Sequence, residues 1–256
     1  MIGSASPRNL AFAAALAVAA LVGLAGPAQA GAADILREGL FGLHPATPDR
    51  GPSLPIARYV SQEGDTFVLD RSQPRPLLKF DDSPEVWALR PQLAPRGDVL
   101  YLNDLGEPVL RATRLGGLTL FTEERPGGSA AALAGGGPPL RLPQMGPQQL
   151  LERLAQASAR ASHAARRLIP FDADASPASF SLMADAATIA AEAVVRLARR
   201  PDAKTALGRF NKVRLVEGRR ASADLQQGVM QITIAPAEGL AGRPSSDRII
   251  SAANAH

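Results

Sequence analysis

Val99-Leu100-Tyr101-Leu102-Asn103-Asp104-Leu105-Gly106-Glu107-Pro108-Val109-Leu110-Arg111-Ala112-Thr113, continued by Arg114-Leu115-Gly116-Gly117-Leu118-Thr119-Leu120-Phe121, decides how this chain reads. Three apolar runs of four or five residues are split by two clusters of Asn, Asp and Gly, residues that bend the backbone readily. Short runs at roughly ten-residue intervals with turn signals between them are the pattern of an antiparallel meander. Upstream the same rhythm recurs at Ile56–Val60, Thr66–Leu69, Leu77–Phe80 and Val86–Leu89. Residues 56–125 are therefore expected to form an antiparallel β domain, a small barrel or a sandwich. Trp87, the only tryptophan, is expected to anchor its core.

Downstream the text changes. Residues 126–147 carry Gly127-Gly128, Gly135-Gly136-Gly137 and Pro138-Pro139 and read as a linker. Residues 148–256 read as an α+β domain. Leu150, Leu151, Leu154, Ala157, Ala161, Ala165 and Leu168 share a helical stripe, with Pro147 suited to the first turn. Ser176-Pro177 is a helix start, and Phe180, Met183, Ala187, Ala190, Val194 and Leu197 line the face that follows. Strand-like text at 212–235 predicts a small three-stranded antiparallel sheet under the helical pair, and Ser245-Ser246-Asp247 predicts a cap for a short last helix. The fold class is α+β.

The N-terminus reads as an export signal over residues 1–30. Arg8 precedes the apolar run Leu10–Ala25, Gly26-Pro27 breaks it, and Ala28-Gln29-Ala30 offers small residues for cleavage. The run falls short of the roughly 20 residues needed to span a bilayer. Cleavage after Ala30 would release an exported chain, periplasmic or secreted and not transmembrane. Within residues 31–55, Asp34–Leu43 reads as a short amphipathic helix, followed by a connector through Pro45, Pro48, Pro52 and Pro55. The absence of cysteine removes disulfides, thiolate metal sites and cysteine nucleophiles together.

Charge is unevenly placed. Residues 31–140 hold 11 Arg/Lys against 14 Asp/Glu, a net of −3, and residues 141–256 hold 16 against 10, a net of +6. Such asymmetry suits either an anionic partner for the basic half or attraction between the halves. The densest basic stretch comprises Arg196, Arg199, Arg200, Lys204, Arg209, Lys212, Arg214, Arg219 and Arg220, a candidate surface for anionic envelope polymers. Nothing interleaves it with the aromatic side chains that stack nucleic-acid bases.

Catalytic signatures are missing from the sequence. His44, His163 and His256 are far apart and show no H-x-x-H or H-E-x-x-H spacing. Asp81, Asp82 and Glu85 cluster in one turn and Asp172 and Asp174 in another, without the spacing of a calcium loop. Two such carboxylates would serve a glycosidase only if the fold set them at the right separation. The best binding candidate is Gly242-Arg243-Pro244-Ser245-Ser246-Asp247-Arg248. There a helix start, the hydroxyls of Ser245 and Ser246 and the guanidiniums of Arg243 and Arg248 can hold an anion. The bland alternative is a serine cap with local ion pairs.

Several segments resemble an exported proteobacterial family catalogued as a domain of unknown function. They are Arg58-Tyr59-Val60-Ser61, Arg75-Pro76-Leu77-Leu78, Gly106–Arg111, Leu115–Phe121 and Ala241–Ile249. The resemblance spans most of the chain after the leader and implies export, with no activity or ligand attached. The functional expectation is a non-catalytic periplasmic or envelope-associated protein. It would need no metal or other cofactor and would bind a protein or an anionic envelope component, not nucleic acid. A periplasmic hydrolase using paired carboxylates is the alternative.

Overall fold

The structure, a computed structural model, describes residues 54–255. The leader at 1–30, the helix expected at Asp34–Leu43, His44, most of the proline connector and His256 lie outside the described residues.

Nine strands build the first sheet: β1 (Ile56–Ser61), β2 (Thr66–Asp70), β3 (Leu77–Phe80), β4 (Val86–Ala88), β5 (Arg90–Leu93), β6 (Val99–Leu102), β7 (Pro108–Ala112), β8 (Leu118–Leu120) and β9 (Ser129–Gly136). Their order is β4-β3-β2-β1-β9-β8-β7-β6-β5, antiparallel at every pairing. The nominal edges β4 and β5 are separated by Leu89 alone, so they are halves of one bent strand. The meander thereby rolls onto itself, nearly barrel-shaped, and leaves no long unpaired edge. At the bend Leu89 is fully buried and its N–H donates to Pro76 O at 2.7 Å.

Side chains fill the interior. Phe67, Leu69, Leu78, Leu110 and Leu120 are each under 2 % exposed and meet in one apolar cluster. Trp87 is half-buried against that cluster and packs edge-on to Phe80, with ring centroids 6.5 Å apart. The turns read from the sequence close the hairpins. Gly106 (φ +89°) and Gly116 (φ +91°) occupy left-handed backbone that other residues avoid, and donate to Asn103 O and Thr113 O.

The segment read as a linker contains β9, which completes the barrel between β1 and β8. Glycine costs entropy in a strand, but pairing with β8 at Ser129–Ala131 and with β1 at Ala131–Gly136 outweighs that cost. Gly135 (φ +149°) lies where the register with β1 shifts between Arg58 and Tyr59. Gly137 also permits close packing, because a Cβ there would sit 2.8 Å from a Val68 methyl.

The second lobe runs α1 (Pro147–Ala165), β10 (Phe171–Asp174), α2 (Phe180–Ala198), α3 (Ala203–Gly208), β11 (Lys212–Glu217), β12 (Ser222–Gln226), β13 (Val229–Ile234), a 3-10 stretch (Pro236–Gly242) and α4 (Ser246–Asn254). Leu150, Leu154, Ala157 and Ala161 of α1 pack with α2, which is buried along most of its length. Leu151 and Leu168 of the expected stripe are exposed. Helix α2 begins at Phe180 rather than beside Pro177. The Glu217 carboxylate takes Ser176 N and Ser179 Oγ, both at 2.6 Å, and holds residues 176–179 as a turn.

The smaller sheet differs from the antiparallel three-stranded one expected. It has four strands in the order β10-β11-β13-β12. β10–β11 and β11–β13 are parallel, and only β12–β13 is antiparallel. Helices α2 and α3 carry the chain back so that β11 runs beside β10 in the same sense, a crossover geometry. Hairpin β12–β13 then places β13, not β12, against β11. Strand β10 was hidden because Asp172 and Asp174 occupy its exposed positions.

Candidate anion-binding cleft between the barrel and the helical lobe

Register places the β3–β4, β6–β7 and β8–β9 turns at one end of the barrel. These turns carry Glu85, Asp104 and Glu123, and all three reach the helical lobe. Glu85 is 3 % exposed. Its oxygens accept Ser246 N at 2.9 Å and Ser246 Oγ at 2.5 Å. Asp104 accepts Ser245 N at 2.9 Å and Ser245 Oγ at 2.6 Å. Ser245 also caps α4, accepting Arg248 N at 3.0 Å. Arg248 donates to Asp104 O.

Arg243, Ser245, Ser246 and Arg248 stand together around anions that belong to the chain itself. Helix N-terminal N–H groups and serine hydroxyls do hold carboxylates here, and the carboxylates are Glu85 and Asp104.

Arg243 is the centre of this contact and is 5 % exposed. Its Nε donates to Asp185 of α2, its Nη2 donates to Val86 O at 2.9 Å, and its Nη1 stands 3.7 Å from Glu85. Gly242 lets the chain enter this position, because a Cβ there would lie 2.0 Å from Ala235 O. Burial pushes the Glu85 carboxyl above its ordinary range, opposed by the Arg243 charge and the Ser246 hydrogen bonds. Arg196 of α2 completes the contact, donating to Ser246 Oγ at 2.7 Å, Asp247 at 2.6 Å and Glu123 at 3.2 Å.

Of the hollows beside this contact, two bear on function. One, of about 330 Å³, receives the guanidiniums of Arg75, Arg90, Arg220 and Arg248 beside Trp87 and Asn103. Its acids are engaged: Glu238 with Arg75 at 3.3 Å, Asp104 with Ser245. Arg90 and Arg220 have no carboxylate within 4.0 Å among the described residues. Arg90 leaves β5 toward the β6–β7 turn, with Nη2 3.9 Å from where a Cβ on Gly106 would lie. The other hollow, of about 510 Å³, gathers Asp82, Glu85, Glu123 and Glu192 with Arg196 and Arg199. No group of three or more His, Asp or Glu among the described residues is placed to hold a metal ion.

The nine-cation stretch is spread over several elements. Arg200 pairs with Asp202 at 2.9 Å and Lys212 with Asp172 at 3.2 Å. Arg209 donates to Ala253 O at 3.1 Å and to Ala255 O, closing the end of α4. Arg196 is spent on the contact above, and Arg199 lies beside it. Lys204 is exposed on α3, Arg214 on β11, and Arg219 and Arg220 in the β11–β12 turn. Of the nine, Arg220 alone lines the basic cleft. Its companions there, Arg75 and Arg90, escaped the sequence reading because each stands alone in the β half and meets Arg220 only through the fold. His163 is exposed on α1.

A family model described as "Domain of unknown function (DUF4908)" matches residues 36–253. No curated protein and no solved structure matches the chain.

Proposed function

We infer that this chain, which belongs to the DUF4908 family, is an exported, non-catalytic envelope protein whose interlobe cleft binds an anionic group of an envelope component. The observation that carries the reading is the pair Arg90 and Arg220. Two guanidiniums from different lobes line one cleft without carboxylate partners among the described residues. A guanidinium fork grips phosphate or carboxylate in two places at once. Trp87 supplies an apolar wall for the part of the ligand next to the charge. Residues 1–30 would deliver the chain to the periplasm or beyond, where phosphate- and carboxylate-bearing polymers are abundant.

The test is co-sedimentation of the protein with isolated envelope material at low and at high salt. The parent should pellet at low salt and release at high salt, since exposed charge attraction is screened. An Arg90→Glu/Arg220→Glu variant should pellet clearly less than the parent at low salt. Undiminished binding by that variant would refute the cleft as the site.

The hydrolase alternative rests on the second hollow, where Glu85, its carboxyl raised by burial, stands near Asp82 and Glu123. A raised carboxyl is the form a general acid needs. Against it, both Glu85 oxygens are already bonded to Ser246. Hydrolysis of fluorogenic glycosides by the parent and its loss in Glu85→Gln would favour this reading over the first.

A further inference from the structure

The barrel end opposite the docked turns carries a different chemistry. Strand register puts the β5–β6 turn and the β7–β8 turn side by side at that end, with Leu93 paired to Val99 and Val99 to Ala112. Asp98 ties the two turns together, accepting Arg111 Nε at 2.8 Å and Arg114 N at 3.3 Å. Leu93 at the end of β5 and Leu115 in the β7–β8 turn project into solvent, 83 % and 96 % exposed. Arg96 and Arg114 are exposed beside them. The side chains Arg96, Arg111 and Arg114 against Asp98 leave the pair of turns with a net charge of +2.

We propose that these two turns dock the protein onto an anionic lipid surface, with Leu93 and Leu115 entering the acyl boundary and Arg96 and Arg114 meeting the headgroups. Exposed leucines accompanied by exposed arginines in adjacent turns match the two layers of such a surface: apolar side chains lie below the headgroups and cations at their level. A protein partner would ask for a carboxylate or an apolar pocket opposite each tip. A bilayer asks only for exposed apolar side chains with cations close by. The docked end has no comparable pattern, because its turns are acidic and held by the helical lobe. This inference is independent of the cleft, which lies between the lobes.

The chain holds no cysteine, so Leu115→Cys can carry a single environment-sensitive fluorophore, and Glu124→Cys in the β8–β9 turn serves as the control. Each labelled full chain is titrated with phosphatidylcholine vesicles with and without phosphatidylglycerol. The probe at 115 should shift to the blue and brighten severalfold on the anionic vesicles alone, while the probe at 124 stays unchanged. Arg96→Glu/Arg114→Glu should weaken the response at 115 by about tenfold or more. Arg90→Glu/Arg220→Glu should leave it intact, which separates this result from the fate of the cleft. An unchanged probe at 115 overturns the proposal. So does an equal response on neutral vesicles, an equal response at 124, or a blue shift that grows with protein concentration in the absence of vesicles, the sign of a second copy on the tips.

Discussion

Replacing Arg243 by methionine removes the most deeply buried of the guanidiniums that bridge the barrel and the helical lobe. The side chain is nearly isosteric along its stem, so the change isolates the charge and its donors. Four acceptors lose a partner: Asp185, Val86 O, Pro244 O and, at 3.7 Å, Glu85. Removing one member of a buried ion pair costs about 3–5 kcal/mol, because the other charge stays buried and uncompensated. At about 2–4 °C per kcal/mol for a chain of this size, Tm should fall by about 6–20 °C. The assay is thermal unfolding followed by two probes. Trp87 fluorescence reports the barrel, and helical circular dichroism reports the second lobe, since the described α-helices all lie there. The parent should melt with both probes together, and Arg243→Met should separate them. Arg214→Ala, on the exposed face of β11, is the surface control and should move Tm little. The pH dependence has a sign. Without Arg243 the Glu85 carboxyl keeps its desolvation and loses the cation opposing it, so its folded pKa rises further above the unfolded value. The native state then binds that proton more readily than the unfolded chain. Stability of the variant therefore falls as pH rises through the window above the unfolded carboxyl value. The Tm gap between variant and parent should narrow toward acid. Asp98, Asp70 and Glu217 carry depressed values from hydrogen bonding: with Arg111, with Ser72 and Leu140 against burial, and with Ser179 and Ser176. They contribute equally to both proteins and cancel in the difference. A Tm change under about 2 °C, or a gap that widens toward acid, would refute the assignment of Arg243 as the shared anchor.

Gly242→Ala should be severely destabilising, by about 1–3 kcal/mol or more, because its Cβ would meet Ala235 O, a backbone atom that cannot swing aside; chemical denaturation checks it. Ser245→Ala removes both the α4 cap and the hydroxyl held by Asp104, and should cost about 0.5–2 kcal/mol in the same assay. Amino-terminal sequencing of protein from the periplasmic fraction should begin at Gly31, and recovery of Met1 there would refute cleavage after Ala30.

Much of the barrel was legible because its information is local. Strands between Ile56 and Leu120 announce themselves by length and by Asn103-Asp104-Leu105-Gly106 and its counterparts, whose turn chemistry is complete within a few residues. Strand β9 was not legible. Ser129–Gly136 has almost no β-forming side chains, and it is a strand only because β1 and β8 stand on either side of it. β5 was hidden for a related reason: Arg90–Leu93 is wholly exposed, so nothing in it alternates. The direction of the small sheet was equally non-local, being set by the path of α2 and α3 rather than by any residue of β11. In the candidate site, Gly242–Arg248 was singled out from its donors, which are visible in sequence. Glu85 and Asp104, the acceptors they meet, were visible only as turn acids, and Arg90 and Arg220 converge by tertiary structure alone.

The charge asymmetry of the chain now has a physical account that bears on function. The acids of the β half stand largely in the turns at one end of the barrel, and Arg196, Arg243 and Arg248 of the basic half receive three of them, Glu123, Glu85 and Asp104. Attraction between the halves therefore consumes Arg243 and Arg248 and, of the nine-cation stretch, Arg196 alone. A guanidinium already spread over several acceptors, as Arg196 and Arg243 are, has few of its five N–H donors left for a ligand. Binding capacity must come from cations left outside this contact. In the cleft these are Arg90 and Arg220, with Arg75 and Arg248 bound at the rim to acids that they share with solvent. The density of arginine along the chain is thus a poor guide to where an anion binds; the better guide is which guanidiniums the fold leaves unpaired.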